Sequence, residues 1–323
     1  MPFRATFDCL WCGASHATRG RDDLEGWAQL CPSCIGKAGD NGFLRFRLHQ
    51  ALRERASAGD LVDPPATSAS GHTSPSAGTS APEVSDDADI AGRPTDSENL
   101  IAYYEARAPE YDDWYLRRGR YARGAIHDAA WAAELDAAGR WLDGLPWHGE
   151  LVELAAGTGW WSPLLATKGE LSLYDATGMP LDRARERLVA HGLRAHLHVR
   201  DAWAEPDRTV DGLFTGFWLS HVDRDRLAAF LSIARSWLRP RGRFAAIDSL
   251  SDPASSASDH PTPRGDRAVR RLDDGREFSI VKVYYTPEEL RAGLEAAGFV
   301  DVEVTTTGRF FVLATATARM AHE

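Results

Sequence analysis

The sequence predicts an α/β protein: a mostly parallel, doubly wound, seven-stranded sheet closed by a C-terminal antiparallel hairpin, with a small metal-binding module in front of it. Three observations carry this expectation. Glu150 to Trp161 reads ELVELAAGTGWW, a short buried strand, a turn on Gly157-Thr158-Gly159 and a helix opening after Ser162-Pro163. Downstream, strand and helix patterns alternate, which implies parallel strands covered on both faces. All four cysteines fall in the first 34 residues as two CxxC pairs.

The glycine turn comes first in the argument because of what it permits. Glycine lets the backbone approach a ligand closely, and the free N–H groups of the following helix favour polar or anionic groups. After the helix, Glu170-Leu-Ser-Leu-Tyr-Asp175 reads as a second strand that ends on an acid, where a nucleotide-binding unit places a carboxylate against ribose hydroxyls. The further elements are expected as helix 162–168, helix 180–191, strand 195–200, strand 210–219, helix 223–238 and strand 242–249. Helix 287–297 and strands 300–306 and 309–315 follow, the last two joined by Thr307-Gly308 and therefore antiparallel.

Composition bounds the rest. At 323 residues and 43% hydrophobic content the chain has room for one large domain and something small. No signal peptide and no apolar run of spanning length is present, so a soluble cytoplasmic protein with no membrane partner is expected. The net charge is −10; residues 1–56 carry 8 Lys/Arg and 6 Asp/Glu against 29 and 41 in the remainder, so the main body is a poor generic platform for a polyanion.

Cys9-x-x-Cys12 and Cys31-x-x-Cys34 are separated by 18 residues, a spacing that can place four thiolates on one zinc. Paired disulfides or a redox CxxC are the competing readings, and neither suits a cytoplasmic chain without βαβ context around the cysteines. The pairs resemble the knuckles of zinc ribbons, and a site closed by four thiolates has no open coordination position, so the zinc is expected to be structural. Phe43 to Arg55 reads as a helix with Leu44, Leu48 and Leu52 in line and Arg45, Arg47, Arg53 and Arg55 mostly away from it. From Ser57 to about Asp96, Ala, Ser, Thr, Pro, Gly and Asp dominate, the composition of a disordered linker. The expected domains are thus a zinc module at 1–56, a linker at 57–96 and a catalytic domain at 97–323.

From Glu98 to the C-terminus the order of motifs resembles the class I S-adenosylmethionine-dependent methyltransferases of the small-molecule type. The resemblance implies S-adenosyl-L-methionine as cofactor, held by Glu153, Ala155, Gly157 and Gly159 of the first strand and its loop. It implies Asp175 at the ribose, and Asp201 and Ala202 at the adenine. Tyr104 and Tyr111 lie in a Y-x-x-x-A-x-x-Y-D stretch similar to the helix that covers the cofactor in this family. Ala155 stands where the family has its first loop glycine, and Trp160-Trp161 is bulkier than usual, which puts the methionine end of the cofactor in question. A dinucleotide dehydrogenase begins with the same strand, turn, helix and acid; Ser162-Pro163, where its fingerprint wants Gly or Ala, and the C-terminal hairpin argue against it.

The fourth strand runs into Thr215-Gly-Phe-Trp-Leu-Ser-His221, similar to the serine-histidine ending of small-molecule enzymes. His221 and Asp248, at the end of the fifth strand, are the candidate catalytic residues, each able to orient or deprotonate an acceptor oxygen or nitrogen; a purely structural His221 competes with this. Ser251 to Lys282 is an insertion with a hairpin turn at Asp273-Asp274-Gly275, whose Arg267, Arg270, Arg271 and Arg276 either meet an anionic substrate or face solvent. The expected function is methyl transfer to an oxygen or nitrogen of a small molecule. The alternatives are a ribosomal-RNA methyltransferase that recognises RNA through the zinc module, a protein partner for that module, and a non-catalytic S-adenosylmethionine-binding protein.

Overall fold

The computed structural model describes residues 6–8, 15–17, 96–261 and 265–319. The chain divides into two units, Met1–Arg93 and Pro94–Glu323. In the first, strands β1 (Thr6–Asp8) and β2 (Ser15–Ala17) pair antiparallel, Thr6 opposite Ala17. Cys9, Cys12, Cys31 and Cys34, the helix expected over Phe43–Arg55 and all but the last residue of the expected linker lie outside the described residues.

The second unit opens with helices α1 (Asp96–Arg107), α2 (Asp112–Leu116) and α3 (Ala125–Gly144). The core then alternates: β3 (Glu150–Leu154), α4 (Ser162–Leu165), β4 (Glu170–Asp175), α5 (Gly178–Ala190), β5 (His196–Val199), β6 (Val210–Gly216), α6 (Leu227–Ser236) and β7 (Leu238–Ser249). The antiparallel pair β8 (Arg267–Arg271) and β9 (Glu277–Val281) is inserted before α7 (Pro287–Ala296), β10 (Phe299–Thr306) and β11 (Phe311–Ala318). Among the described residues no helix is long and apolar enough to cross a membrane.

Seven strands form one sheet in the order β10-β11-β7-β6-β3-β4-β5. Every pair from β7 to β5 is parallel, and β11 runs antiparallel to both β7 and β10. Strand β3 is central, so Leu151, Val152, Glu153 and Leu154 are all buried and the sequence shows no polar alternation. The helices that cover it are amphipathic: α6 buries Leu227, Phe230, Leu231 and Ala234, the i, i+3, i+4, i+7 set. Helix α7 starts on a capping box, the Thr286 hydroxyl accepting from Glu289 N and the Glu289 carboxylate from Thr286 N. The order of connections reverses at β3, between its neighbours β4 and β6, and the carboxyl ends of such strands are where open α/β sheets bind ligands.

Several boundaries differ from expectation, among them the expected helix 162–168, which ends at Leu165, and the expected strand 309–315, which runs from Phe311 to Ala318. Three further differences have a local reason. Strand β7 begins at Leu238 rather than 242, because Leu238 pairs with Val210 ahead of a register shift. The helix expected over 223–238 is shorter, since Arg224–Arg226 form a 3-10 turn before α6. Strand β6 stops at Gly216 and not 219: Phe217 takes a left-handed φ of 59°, and Leu219–His221 coil into a 3-10 turn. That turn carries His221.

Candidate active site

A glycine-bearing loop follows β3. Ala155 and Gly157 adopt left-handed φ values of 51° and 55°. The Gly157 N–H donates to Asp175 Oδ2 at 2.9 Å and the Thr177 N–H to Oδ1 at 3.2 Å, so the acid at the end of β4 pins the loop after β3. The Ala176 N–H also bonds this carboxylate, and since a carboxylate has about four acceptor positions, about one is left for a ligand. Burial lifts the Asp175 carboxyl to about 6, with the Gly157 and Thr177 N–H groups pulling the other way.

A Cβ added at Gly157 would project toward the Tyr111 ring, 3.9 Å away across the opening. Gly159 has a different reason to be glycine. With φ at 69°, its Cβ would lie 2.7 Å from that of Ala184, so this residue lets the loop press against α5 and does not line the opening. Glu153 also serves from behind: fully buried, it accepts from Ser162 Oγ at 2.5 Å, and burial raises its carboxyl to about 8. Trp160 and Trp161 are core residues, Trp160 stacked on Tyr115 at 4.1 Å, so neither blocks the loop.

A cleft of about 710 Å³ opens here, walled by Ala155 and Gly157, by Asp175 and Thr177, by Asp201 and Ala202, and by Trp218 and His221. Asp201 accepts from Trp203 N at 2.9 Å. Helix α1 and the turn after it form the roof through Tyr104 and Tyr111. The roof is tied down where Asp112 accepts from Thr158 Oγ1 at 2.9 Å and pairs with Arg187. Two buried polar atoms on this wall, Trp218 Nε1 and Thr177 Oγ1, have no hydrogen-bond partner. Unpaired polar groups, a glycine facing the opening and a strand-end carboxylate with a free acceptor position fit the ribose and adenine of S-adenosylmethionine.

A second cavity of about 520 Å³ shares Tyr104, Tyr111, Phe217 and His221 with the first. His221 is buried; its Nδ1 bonds Val281 O at 2.7 Å, so Nδ1 carries the proton and donates. Nε2 then accepts from the Tyr104 hydroxyl at 2.6 Å. Burial holds the imidazole well below its ordinary pKa, with nearby Lys282 acting in the same direction, so it is neutral.

Asp248 does not join His221 in lining either cavity. Its carboxylate accepts from Ser220 N at 2.8 Å and Ser249 N at 2.7 Å, which fixes the turn that presents His221. The catalytic role expected for it from strand position therefore gives way to a positioning one. Of the four insertion arginines, Arg267 pairs with Asp223, Arg271 with Glu277 and Arg276 with Asp274. Only Arg270 reaches the second cavity, because the period-two alternation of β8 buries Ala268 and Arg270. Arg107 and Lys282, also in that wall, were not anticipated. Arg107 follows Leu100, Tyr103 and Tyr104 at i+7, i+4 and i+3, and this shared face is the signal that could have found it. Among the described residues no cluster of three His, Cys, Asp or Glu is placed to hold a metal.

Comparison with known proteins agrees with this geometry. A family profile described as a methyltransferase domain matches residues 151–242, the span from β3 into β7. No curated protein matches the chain in sequence. Among solved structures, a DhpI-SAM-HEP complex is 30% identical, with a TM-score of 0.54, covering 68% of this chain and 97% of that one. A DhpI-SAH complex is 29% identical, also at 0.54, covering 69% and 96%. The 1,6-didemethyltoxoflavin-N1-methyltransferase of Burkholderia thailandensis is 18% identical at a TM-score of 0.44, covering 73% and 94%. Residues 151–242 carry the domain, and a relative at 30% identity is spanned almost end to end, so the chain belongs to the S-adenosylmethionine-dependent methyltransferases.

Proposed function

We propose that the enzyme methylates an oxygen or nitrogen of a small acceptor seated in the second cavity, beside the cofactor cleft. The observation that supports this most is the shared wall: Tyr104, Tyr111, Phe217 and His221 border both spaces, so a methyl donor in one faces an acceptor in the other. When bound, the cofactor supplies a methyl group activated on a sulfonium centre. In-line placement then does most of the catalytic work, and the chain's task is to orient the acceptor and exclude water.

Neutral His221 presents Nε2 as a proton acceptor, with the Tyr104 hydroxyl already on it at 2.6 Å. An acceptor O–H or N–H that bonds the Tyr104 oxygen would give its proton to that oxygen while the Tyr104 hydroxyl proton moves to Nε2, as the methyl is transferred and S-adenosylhomocysteine is left. Gly157 and Asp175 hold the ribose side, and Asp201 with Ala202 the adenine side. In this reading the N-terminal residues 1–56 bind one structural zinc through Cys9, Cys12, Cys31 and Cys34, and 57–96 tether that module to the catalytic domain. The relevant assay is transfer of labelled methyl from S-adenosylmethionine to fractionated extract. Label appearing in low-molecular-weight products supports the reading; label confined to RNA or protein overturns it.

A further inference from the structure

The second cavity gathers positive charge without matching negative charge. Arg107, Arg270 and Lys282 line it, each about nine-tenths buried at 8% exposure, and no Asp or Glu does. Among the described residues neither Arg107 nor Arg270 has a carboxylate within ion-pair distance, and Lys282 Nζ lies 4.0 Å from Asp248. A buried cation without a counter-charge is costly, and three converging on one space repel each other.

The aromatic surroundings offset only part of this. The Arg107 guanidinium lies 4.6 Å from the Tyr111 ring centre and 5.5 Å from that of Tyr103. Ring faces satisfy the flat face of a guanidinium and leave its in-plane N–H groups wanting acceptors. Arg107 Nη2 reaches the Tyr121 hydroxyl at a long 3.4 Å, while Arg107 Nε has no partner. Arg270 Nη1, His260 Nδ1 and Ser255 Oγ, on other residues of the same wall, are likewise buried and unpaired. Lys282 Nζ donates to Ser220 Oγ at 2.7 Å, which aims the ammonium from the end of β9. Burial lowers this lysine to about 8, a cost that a bound negative charge would reverse.

We propose that the acceptor is an anion, held in the second cavity through a phospho or carboxyl oxyanion by Arg107, Arg270 and Lys282. This rests on the acceptor occupying that cavity. Unpaired guanidinium N–H groups match oxyanion lone pairs, and bidentate Arg contacts also fix orientation, which a methyl acceptor needs. The tyrosine rings of Arg107's cage then enclose a small headgroup and exclude water.

The test is calorimetry on the full chain, titrated with methylphosphonate, inorganic phosphate and acetate, with and without saturating S-adenosylhomocysteine. At least one of these anions is expected to bind one to one in the millimolar range. Arg270→Gln should weaken it roughly tenfold or more, with Arg270→Lys intermediate. S-adenosylhomocysteine affinity, unchanged within about threefold, shows that each variant is folded. Phosphonate or phosphate binding without acetate identifies a tetrahedral group, and the reverse a carboxylate; either supports the proposal. No binding of any anion overturns it, as does binding that Arg270→Gln leaves untouched, an adventitious ion only. Because the titration is also run without S-adenosylhomocysteine, failure of the anion subsite and failure of cofactor binding are read separately.

Discussion

Replacing Asp175 tests the cofactor cleft at its most connected point. In Asp175→Ala the Gly157 and Thr177 N–H groups lose their acceptor, and in the proposed binding mode the ribose hydroxyls lose a charged one. Hydrogen bonds to a charged group contribute about 1.5–3 kcal/mol, so the dissociation constant of S-adenosylhomocysteine should rise about ten- to hundredfold. The carboxyl's rise to about 6 gives a second handle. Ribose donors favour the ionised form, so wild-type affinity should be flat above pH 7 and fall as pH drops below 6. The ligand-free protein behaves oppositely. A folded-state pKa above the ordinary carboxylate value contributes stability that is present at low pH and lost as pH rises through 6. Calorimetry from pH 5 to 8 on wild type, Asp175→Asn and Asp175→Ala reads both effects. Unchanged affinity in the alanine variant, or a wild-type affinity with no fall below pH 6, refutes the assignment of Asp175 to the ribose.

Four other substitutions or truncations separate site from scaffold. Gly157→Val combines a strained φ of 55° with a side chain in the cleft and should cost at least tenfold in cofactor affinity by the same calorimetry. His221→Ala should lower kcat roughly tenfold or more in a methyl-transfer assay while cofactor binding persists; a change in Tm alone would mark the histidine as structural. The neutral state of His221 also predicts no histidine titration in the rate profile between about pH 6 and 8. Thr286→Ala removes the capping box of α7 and should cost about 1 kcal/mol, a fall of about 2–4 °C in Tm by calorimetric scan, with activity retained. Residues 94–323, a compact unit, should fold and bind S-adenosylhomocysteine alone, while full-length protein should carry one zinc by elemental analysis; an insoluble truncation would contradict the tethered arrangement.

The sheet was legible because its signals are local and repeated. Buried strands such as Leu151–Leu154 cannot alternate, glycine at 157 and 159 needs positive φ, and a two-residue signal at Thr307-Gly308 forces an antiparallel return. What each glycine is for was not legible: Gly157 faces the cleft and Gly159 faces Ala184, a distinction that depends on where α5 packs. The wall of the second cavity was legible only in part. His221 stood out by its neighbours in the chain, whereas Arg107 and Lys282 meet it across long sequence separations, on α1 and just beyond β9. Asp248 shows the complementary limit. Strand position brought it to the right edge of the sheet, but the backbone N–H groups of Ser220 and Ser249 claim its oxygens.

The 3-10 turn Leu219–His221 gives the molecule a form of modularity. Phe217 N bonds Ile247 O at 2.7 Å and Asp248 holds Ser220 N, so the frame of the turn is built from main-chain groups and one carboxylate behind it. The side chains displayed here, Trp218 just before the turn and His221 at its end, line the cleft and are not part of that frame, although Trp218 also packs against the core. A lineage could therefore trade one acceptor for another by drifting at these few positions and at the inserted hairpin, while the donor half of the reaction stays constant. In the laboratory the same seam is where libraries aimed at new acceptors should be concentrated, with Gly157, Asp175 and Asp248 left alone.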